Sequence, residues 1–329
     1  MINLEPQPTT GQHHLVAGGG GFVGSHLVDL FLARGDTATI VDNFVTGRRS
    51  NVAHLADDDR CTVIEHDITT PFPSAITDVR YDTVLDLASP ASPDDFKTMP
   101  LEILAVGSTG TRNLLDLARE QGARFFLAST SEVYGDPLVH PQPETYWGNV
   151  SSIGPRSCYD EAKRFSEAIT MAYHRTHGVE VRIVRIFNTY GERMRPRDGR
   201  VVNTFVLQAL RNEPLTLHGD GMQTRSFCHV ADEIRGLAAV LDGQLTGPIN
   251  VGNPGEFTMR ELAELVIDIT GSSSEIIAIP MPDEREGDPM QRCPDITLVR
   301  DAYGWEPSIS LREGLTRMID WFRTKEDLT

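Results

Sequence analysis

At 329 residues, with 40% apolar and 23% charged residues, the chain has the make-up of a globular protein large enough for one big α/β unit or two joined domains. Its 47 acidic against 30 basic residues give a formal charge of −17, which repels nucleic-acid phosphates, and no apolar run approaches the roughly 20 residues needed to cross a bilayer. Neither nucleic acid nor a membrane is therefore an expected partner. Met1 to His14 lacks a basic region followed by an apolar stretch, so a cytoplasmic location is expected. Cys61, Cys158, Cys228 and Cys293 are dispersed without CxxC pairing and read as ordinary thiols, with no metal site.

Short apolar runs then alternate with amphipathic stretches: Leu15–Ala17, Phe22–Arg34, Thr37–Val41, Thr62–Glu65, Thr83–Leu87, Leu101–Arg119 and Arg124–Ala128. A helix around Cys158–His174 and a strand at Glu180–Ile186 continue the rhythm. Strands alternating with helices predict an α/β fold, a doubly wound parallel (Rossmann) sheet with its ligand at the carboxyl ends of the strands. Beyond Tyr190 the rhythm loosens and Gly, Pro and charged residues increase. Residues 1–190 are thus expected to form the dinucleotide-binding domain and 191–329 mainly a smaller substrate-binding lobe. A helix at Val230–Leu241 and a strand at Pro248–Val251 predict a return to the sheet around 226–252.

The first strand runs into Gly18-Gly19-Gly20-Gly21-Phe22-Val23-Gly24, and Phe22 opens a helix whose apolar face continues through Val23, Leu27, Leu30 and Phe31. Four glycines alone make an ordinary loop. Between a strand and a helix, Gly18, Gly21 and Gly24 instead allow a tight turn and close backbone approach to a pyrophosphate, whose charge meets the helix N-terminus. The second strand ends at Asp42-Asn43, where a carboxylate can accept both ribose hydroxyls and repel a 2′-phosphate. NAD is favoured over NADP, with Arg48 and Arg49 nearby as the counter-argument. Asp67, in His66-Asp67-Ile68 at the end of the third strand, is placed to meet the adenine or to stand in solvent.

Tyr159 and Lys163 lie four apart on a helix, hence on one face, and Lys163 is one of only three lysines. A phenol is a poor base at neutral pH, but a neighbouring ammonium and a positive nicotinamide both favour the phenolate. Ser129-Thr130-Ser131-Glu132-Val133-Tyr134-Gly135 follows the strand that should face the cofactor, and Thr130 can bond the substrate hydroxyl that Tyr159 deprotonates.

With these residues in place, the chain resembles the extended short-chain dehydrogenase/reductase family over nearly its whole length, and its UDP-glucuronate decarboxylase branch most. The segments that carry the resemblance are Leu87–Pro93, Thr130-Ser131-Glu132, His140–Pro143, Ile153–Arg156, Arg185–Gly191, Asp198–Val202 and Asp288–Asp295. Ala17, Phe96 and Cys293 depart from the pattern, where the family usually has Thr, Tyr and a second basic residue. The resemblance implies that Thr130, Tyr159 and Lys163 serve oxidation and that Glu132 and Arg292 serve decarboxylation. It further implies NAD contacts from Gly18 to Gly24, at Asp42, Asn43, Asp67, Ile68 and Leu87, and from Tyr159 and Lys163. Substrate contacts are implied at Ser89, Pro90, Ser131, Asn188, Arg200, Val201, Arg225 and Arg285, with Asn188 and Arg225 on the diphosphate. A homodimer through the Tyr159–Lys163 helix and the one before it is implied as well.

The implied reaction oxidises carbon 4 of UDP-glucuronate, loses carbon dioxide from the resulting β-keto acid, and reduces the ketone to give UDP-xylose, unless the 4-keto pentose leaves first. The rivals are a sugar-nucleotide 4,6-dehydratase, a 4-epimerase and a non-catalytic NAD-sensing protein. Ser131 stands where the dehydratase pattern has an Asp, and a serine hydroxyl is too weak an acid for that role. Arg285-Glu286-Gly287-Asp288 is similar to the Arg-x-Gly-Asp of the epimerases.

Overall fold

The computed structural model describes residues 11–280 and 291–325. Largely buried apolar runs form β1 (His13–Ala17), β2 (Thr37–Asp42), β4 (Thr83–Asp86), β5 (Arg124–Thr130) and β6 (Val181–Ile186), while β3 (Cys61–Glu65), at the sheet edge, has no buried residue. Between them lie α1 (Phe22–Ala33), α2 (Arg49–Val52), α3 (Ser74–Thr77), α4 (Pro93–Thr98), α5 (Pro100–Ala105), α6 (Thr111–Gln121) and α7 (Ser157–His177). Then follow β7 (Thr189–Tyr190), α8 (Val201–Leu210), β8 (Leu215–His218), β9 (Thr224–Ser226), β10 (Cys228–His229), α9 (Val230–Asp242) and β11 (Ile249–Val251). The chain closes with β12 (Glu256–Thr258), α10 (Met259–Thr270), β13 (Ile276–Ile279), β14 (Gln291–Arg292), α11 (Thr297–Tyr303) and α12 (Leu311–Lys325).

Seven strands pair in the order β11-β6-β5-β4-β1-β2-β3, and every neighbour is parallel. The expected doubly wound sheet is present. Successive strand residues point to opposite faces, so Leu15 and Phe125 enter one core while Val16 and Phe126 enter the other. Both faces of the inner strands are covered, which is why those strands read as continuous apolar runs, unlike the edge strand β3.

Later in the chain β11 joins β6 and α9 packs against α1. Ile296, Val299 and Trp305 belong to the same core as Val16 and Phe31. A separate core gathers Phe205, Leu215, Leu262, Leu315 and Phe322 from α8, β8, α10 and α12.

One expected helix differs. Leu101–Arg119 is α5 and α6 with a π turn, Val106–Gly110, between them. A side chain at Gly107 would come within 2.8 Å of the Ala162 methyl on α7, and the Gly107 carbonyl accepts from the Ser166 hydroxyl at 2.8 Å. The distortion thus sits where α7 is pressed against its neighbour, and α7 carries Tyr159 and Lys163.

Candidate active site

The glycine loop leaves β1 and turns at Gly18, whose φ of +80° suits glycine. A Cβ at Gly18 would meet the Leu87 backbone at 2.7 Å, and one at Gly24 would meet the Gly18 carbonyl at 2.3 Å. The loop therefore lies flat on the strand ends with the start of α1 drawn against it. Gly18, Gly21, Phe22, Val23, Gly24 and Leu87 line one end of a cavity of ≈ 360 Å³.

Asp42, Asn43, Asp67 and Ile68 stand together beyond that lining. Asp42 accepts from the Gly20 and Phe44 N–H groups at 2.9 and 2.8 Å, and burial raises its carboxyl above the usual range despite both bonds. Asn43 donates to Asp67 at 3.3 Å, and the Ile68 carbonyl accepts from Asn113 at 2.8 Å. Arg49 is turned to Glu65 and to the Phe44 ring rather than to Asp42.

At the middle of the cavity Thr130, Ser131, Tyr159 and Lys163 come together from the end of β5 and the first turns of α7. The Tyr159 phenol is pushed up to about 12, by burial first and by Glu132, against a hydrogen bond with Thr130 and the positive charge of Arg200. Lys163 follows Tyr159 one turn further along α7. Its ammonium donates to the Ala128 carbonyl at 2.9 Å and faces Asp86. Burial lowers its pKa, with Asp86 and Glu167 opposing. Asp86 is itself buried, raised by that burial, and bonded to the Thr111 hydroxyl at 2.8 Å.

Glu132 and Arg292 meet across the same cavity. Arg292 donates to Glu132 Oε1 and, at 3.3 Å, to the Gly135 carbonyl, while Arg156 donates to Glu132 Oε2 at 2.5 Å. Burial pushes the Glu132 carboxyl up, but the two guanidinium groups outweigh it and hold it well below the usual range. Arg292 is 3% exposed, and its Nε has no hydrogen-bond partner among the described residues. Asp160, next to Tyr159, is raised by burial and by Glu132.

Toward the smaller core the cavity is lined by Ser89, Asn188, Arg200, Val201 and Arg225. Asn188 bonds the Ser226 carbonyl at 3.2 Å, Arg200 the Ala91 carbonyl at 3.1 Å, and Arg225 the Thr224 carbonyl at 2.8 Å. Pro90 is buried outside the lining and accepts from the Ser89 hydroxyl at 3.1 Å. Arg285 lies outside the described residues.

Three features were not singled out from the sequence. Arg156 ends the quoted Ile153–Arg156 segment, yet nothing in its spacing tells that it closes on Glu132. Phe96 stacks on Tyr159 with centroids 4.9 Å apart, and the Arg156 guanidinium lies 5.5 Å from the Phe96 ring. Finally, His140, Glu256 and Cys293 place ligand-type atoms within 4.8 Å of one another, the one such group among the described residues.

A family model described as GDP-mannose 4,6 dehydratase matches residues 15–318. UDP-glucuronic acid decarboxylase 2 of Arabidopsis thaliana is 53% identical over 311 residues, 94% of this chain and 68% of that protein. UDP-glucuronic acid decarboxylase 1 of Danio rerio is 47% identical, covering 94% and 72% of the two chains. Among solved structures, a UDP-glucuronic acid 4-epimerase from Bacillus cereus in complex with UDP-glucuronic acid and NAD superposes with a TM-score of 0.85 at 27% identity, covering 94% and 99%. The chain therefore belongs to the GDP-mannose 4,6 dehydratase family, within the extended short-chain dehydrogenase/reductases, on the branch of the UDP-glucuronic acid decarboxylases.

Proposed function

We propose that this protein decarboxylates UDP-glucuronate with NAD as its cofactor, through a 4-keto sugar, to give UDP-xylose. The observation that carries the reading is the charge around Glu132. Two guanidinium groups against one carboxylate leave a net positive charge in a water-poor wall, and the Arg292 Nε donor has no hydrogen-bond partner among the described residues. A substrate carboxylate is the complementary group.

The glycine cradle fits NAD, because Gly18 and Gly24 let the loop lie against the Leu87 backbone and the start of α1, which brings the helix N-terminus to the cavity end where a pyrophosphate would sit. Gly18 to Gly24 and Leu87 would hold its diphosphate and ring, and Asp42, Asn43, Asp67 and Ile68 its adenosine. NAD bound there would supply the hydride acceptor and donor for carbon 4 and a positive ring charge that favours the ionised phenol. Tyr159 removes the 4-hydroxyl proton, and Thr130 orients that hydroxyl through the bond the two residues share. With a ketone at carbon 4, the carbon–carboxylate bond breaks and its electrons enter an enolate, which Tyr159 and Thr130 stabilise as donors. Arg292, fixed by Glu132, pairs with the carboxylate and then guides the proton that restores carbon 5. Asn188, Arg200 and Arg225 hold the nucleotide diphosphate, with Ser89, Ser131 and Val201 about the sugar and residues 191–329 supplying most of that lobe.

A 4-epimerase is the second reading, since the Bacillus cereus neighbour with the same fold is one that binds UDP-glucuronic acid. Incubation with UDP-glucuronate and NAD separates them: carbon dioxide release with a pentose product by mass spectrometry supports decarboxylation, and a product of unchanged mass supports epimerisation. A homodimer and a cytoplasmic location complete the reading. Leu101 and Leu104 on α5 and Phe165 on α7 are exposed apolar side chains on adjacent helices, and the four cysteines are free thiols. No described helix is long and apolar enough to cross a membrane.

A further inference from the structure

The His140, Glu256 and Cys293 group lies outside the cavity lining and plays no part in the chemistry above. His140 comes from the loop after β5, Glu256 opens β12, and Cys293 follows β14, so three segments distant in sequence deliver one nitrogen, one oxygen and one sulfur to a single spot. His140 Nε2 and Glu256 Oε2 are 2.9 Å apart, and all three ligand atoms lie within 4.8 Å of one another. A tetrahedral zinc ion with bonds of roughly 2.0–2.3 Å sets its ligands about 3.3–3.8 Å apart, so shifts of an ångström or less would close the set. We propose that His140, Glu256 and Cys293 form a binding site for a thiophilic divalent cation of the zinc class.

The donor set selects the cation. Calcium and magnesium require several oxygens, whereas imidazole, thiolate and one carboxylate suit zinc or cobalt. A thiolate and a carboxylate also balance a double positive charge, which matters because Cys293 is buried while His140 and Glu256 are part-exposed. The buried sulfur forms the floor and the other two the mouth, open to solvent on the side from which a cation arrives.

Two of the ligands are held from behind. Glu256 Oε1 accepts from the Thr224 hydroxyl at 2.8 Å, which leaves Oε2 toward His140. The Cys293 N–H donates to Gln142 Oε1 at 2.9 Å and its carbonyl accepts from the Gln142 N–H at 2.9 Å, so the backbone bearing the sulfur is fixed on both sides. Burial first, and then the Glu256 and Asp295 carboxylates, push the Cys293 thiol up to about 12, so it keeps its proton until a cation, favoured by the same negative field, displaces that proton to solvent on binding.

The test is titration of the chelator-treated full-length protein with cobalt(II) chloride. The expected result is a thiolate-to-cobalt charge-transfer band in the near ultraviolet that saturates at one cobalt per chain and is displaced by zinc chloride. Cys293→Ser removes the band, and His140→Gln and Glu256→Gln, changes at part-exposed positions, each weaken cobalt affinity by roughly tenfold or more. NAD binding and thermal melting of each variant report folding separately. No band in the wild-type protein overturns the site. So does a band that survives Cys293→Ser, or one whose cobalt affinity stays at the wild-type value in His140→Gln and in Glu256→Gln.

Discussion

Glu132 and Arg292, 160 residues apart in sequence, share a hydrogen-bonded ion pair at the wall of the cavity. Glu132 sits in the turn after β5 and Arg292 on the two-residue strand β14, paired with β9, so the pair joins the cofactor half of the site to the other half. Arg292→Gln removes the guanidinium while Arg156 keeps Glu132 paired, so the fold survives. Carbon dioxide release under saturating NAD and UDP-glucuronate should fall by about 10²–10³-fold with NAD affinity nearly unchanged. Wild-type release in that variant would take Arg292 out of the site.

Tyr159→Phe keeps the ring stacked on Phe96 and removes only the hydroxyl. Turnover should fall by a factor on the order of 10²–10⁴ while NAD binding and melting temperature hold. Unchanged turnover would make Tyr159 a packing residue.

Asp42 is the carboxylate that should separate the two dinucleotides. Asp42→Asn should weaken NAD and narrow its advantage over NADP, read by calorimetric titration of both cofactors. Equal wild-type affinities for NAD and NADP would remove the assignment.

Gln142 is fully buried, and its side-chain amide accepts from the Cys293 N–H, next to Arg292, at 2.9 Å and donates to the Val139 carbonyl at 2.7 Å. In Gln142→Leu the arginine should lose its fixed position, so that kcat for carbon dioxide release falls by more than KM rises. A change confined to thermal stability, with kcat intact, would show that Gln142 only holds the loop.

His26 is buried, and its pKa is lowered to about 4, by burial first and then by Arg193. Its unfolded value is near 6.5, so between about pH 6.5 and 4 the unfolded chain binds a proton that the folded chain refuses. The associated stability is fully present above that window and lost as pH falls through it, by up to about 3 kcal/mol. Urea unfolding across this range should show a shallower pH dependence in His26→Gln than in the wild type. Parallel curves would contradict the lowered value.

The sheet and its ligand edge were legible because a strand covered on both faces is a plain apolar run, and because Gly18 to Gly24 followed by Asp42 keep a fixed spacing. What could not be read depends on tertiary contact. The π turn at Gly107 exists because Ala162 and Ser166 press against it, and no periodicity within Leu101–Arg119 carries that information. Lys163 was correctly placed on the face of Tyr159, but its partners, the Ala128 carbonyl and Asp86, lie on other strands. Arg156 closes on Glu132 from an irregular loop, where spacing says nothing about direction.

The order in which the ribosome delivers these parts follows from where Arg292 sits. The glycine loop, Asp42, Tyr159 and Lys163 all emerge within the first half of the chain, whereas β11 and then Arg292 emerge far later. Closing the link between Glu132 and Arg292 spans 160 residues, a long loop whose entropy must be met by contacts made afterwards. During synthesis the glycine loop and the residues around it are therefore delivered first, and the link between Glu132 and Arg292 can close only once most of the chain has emerged.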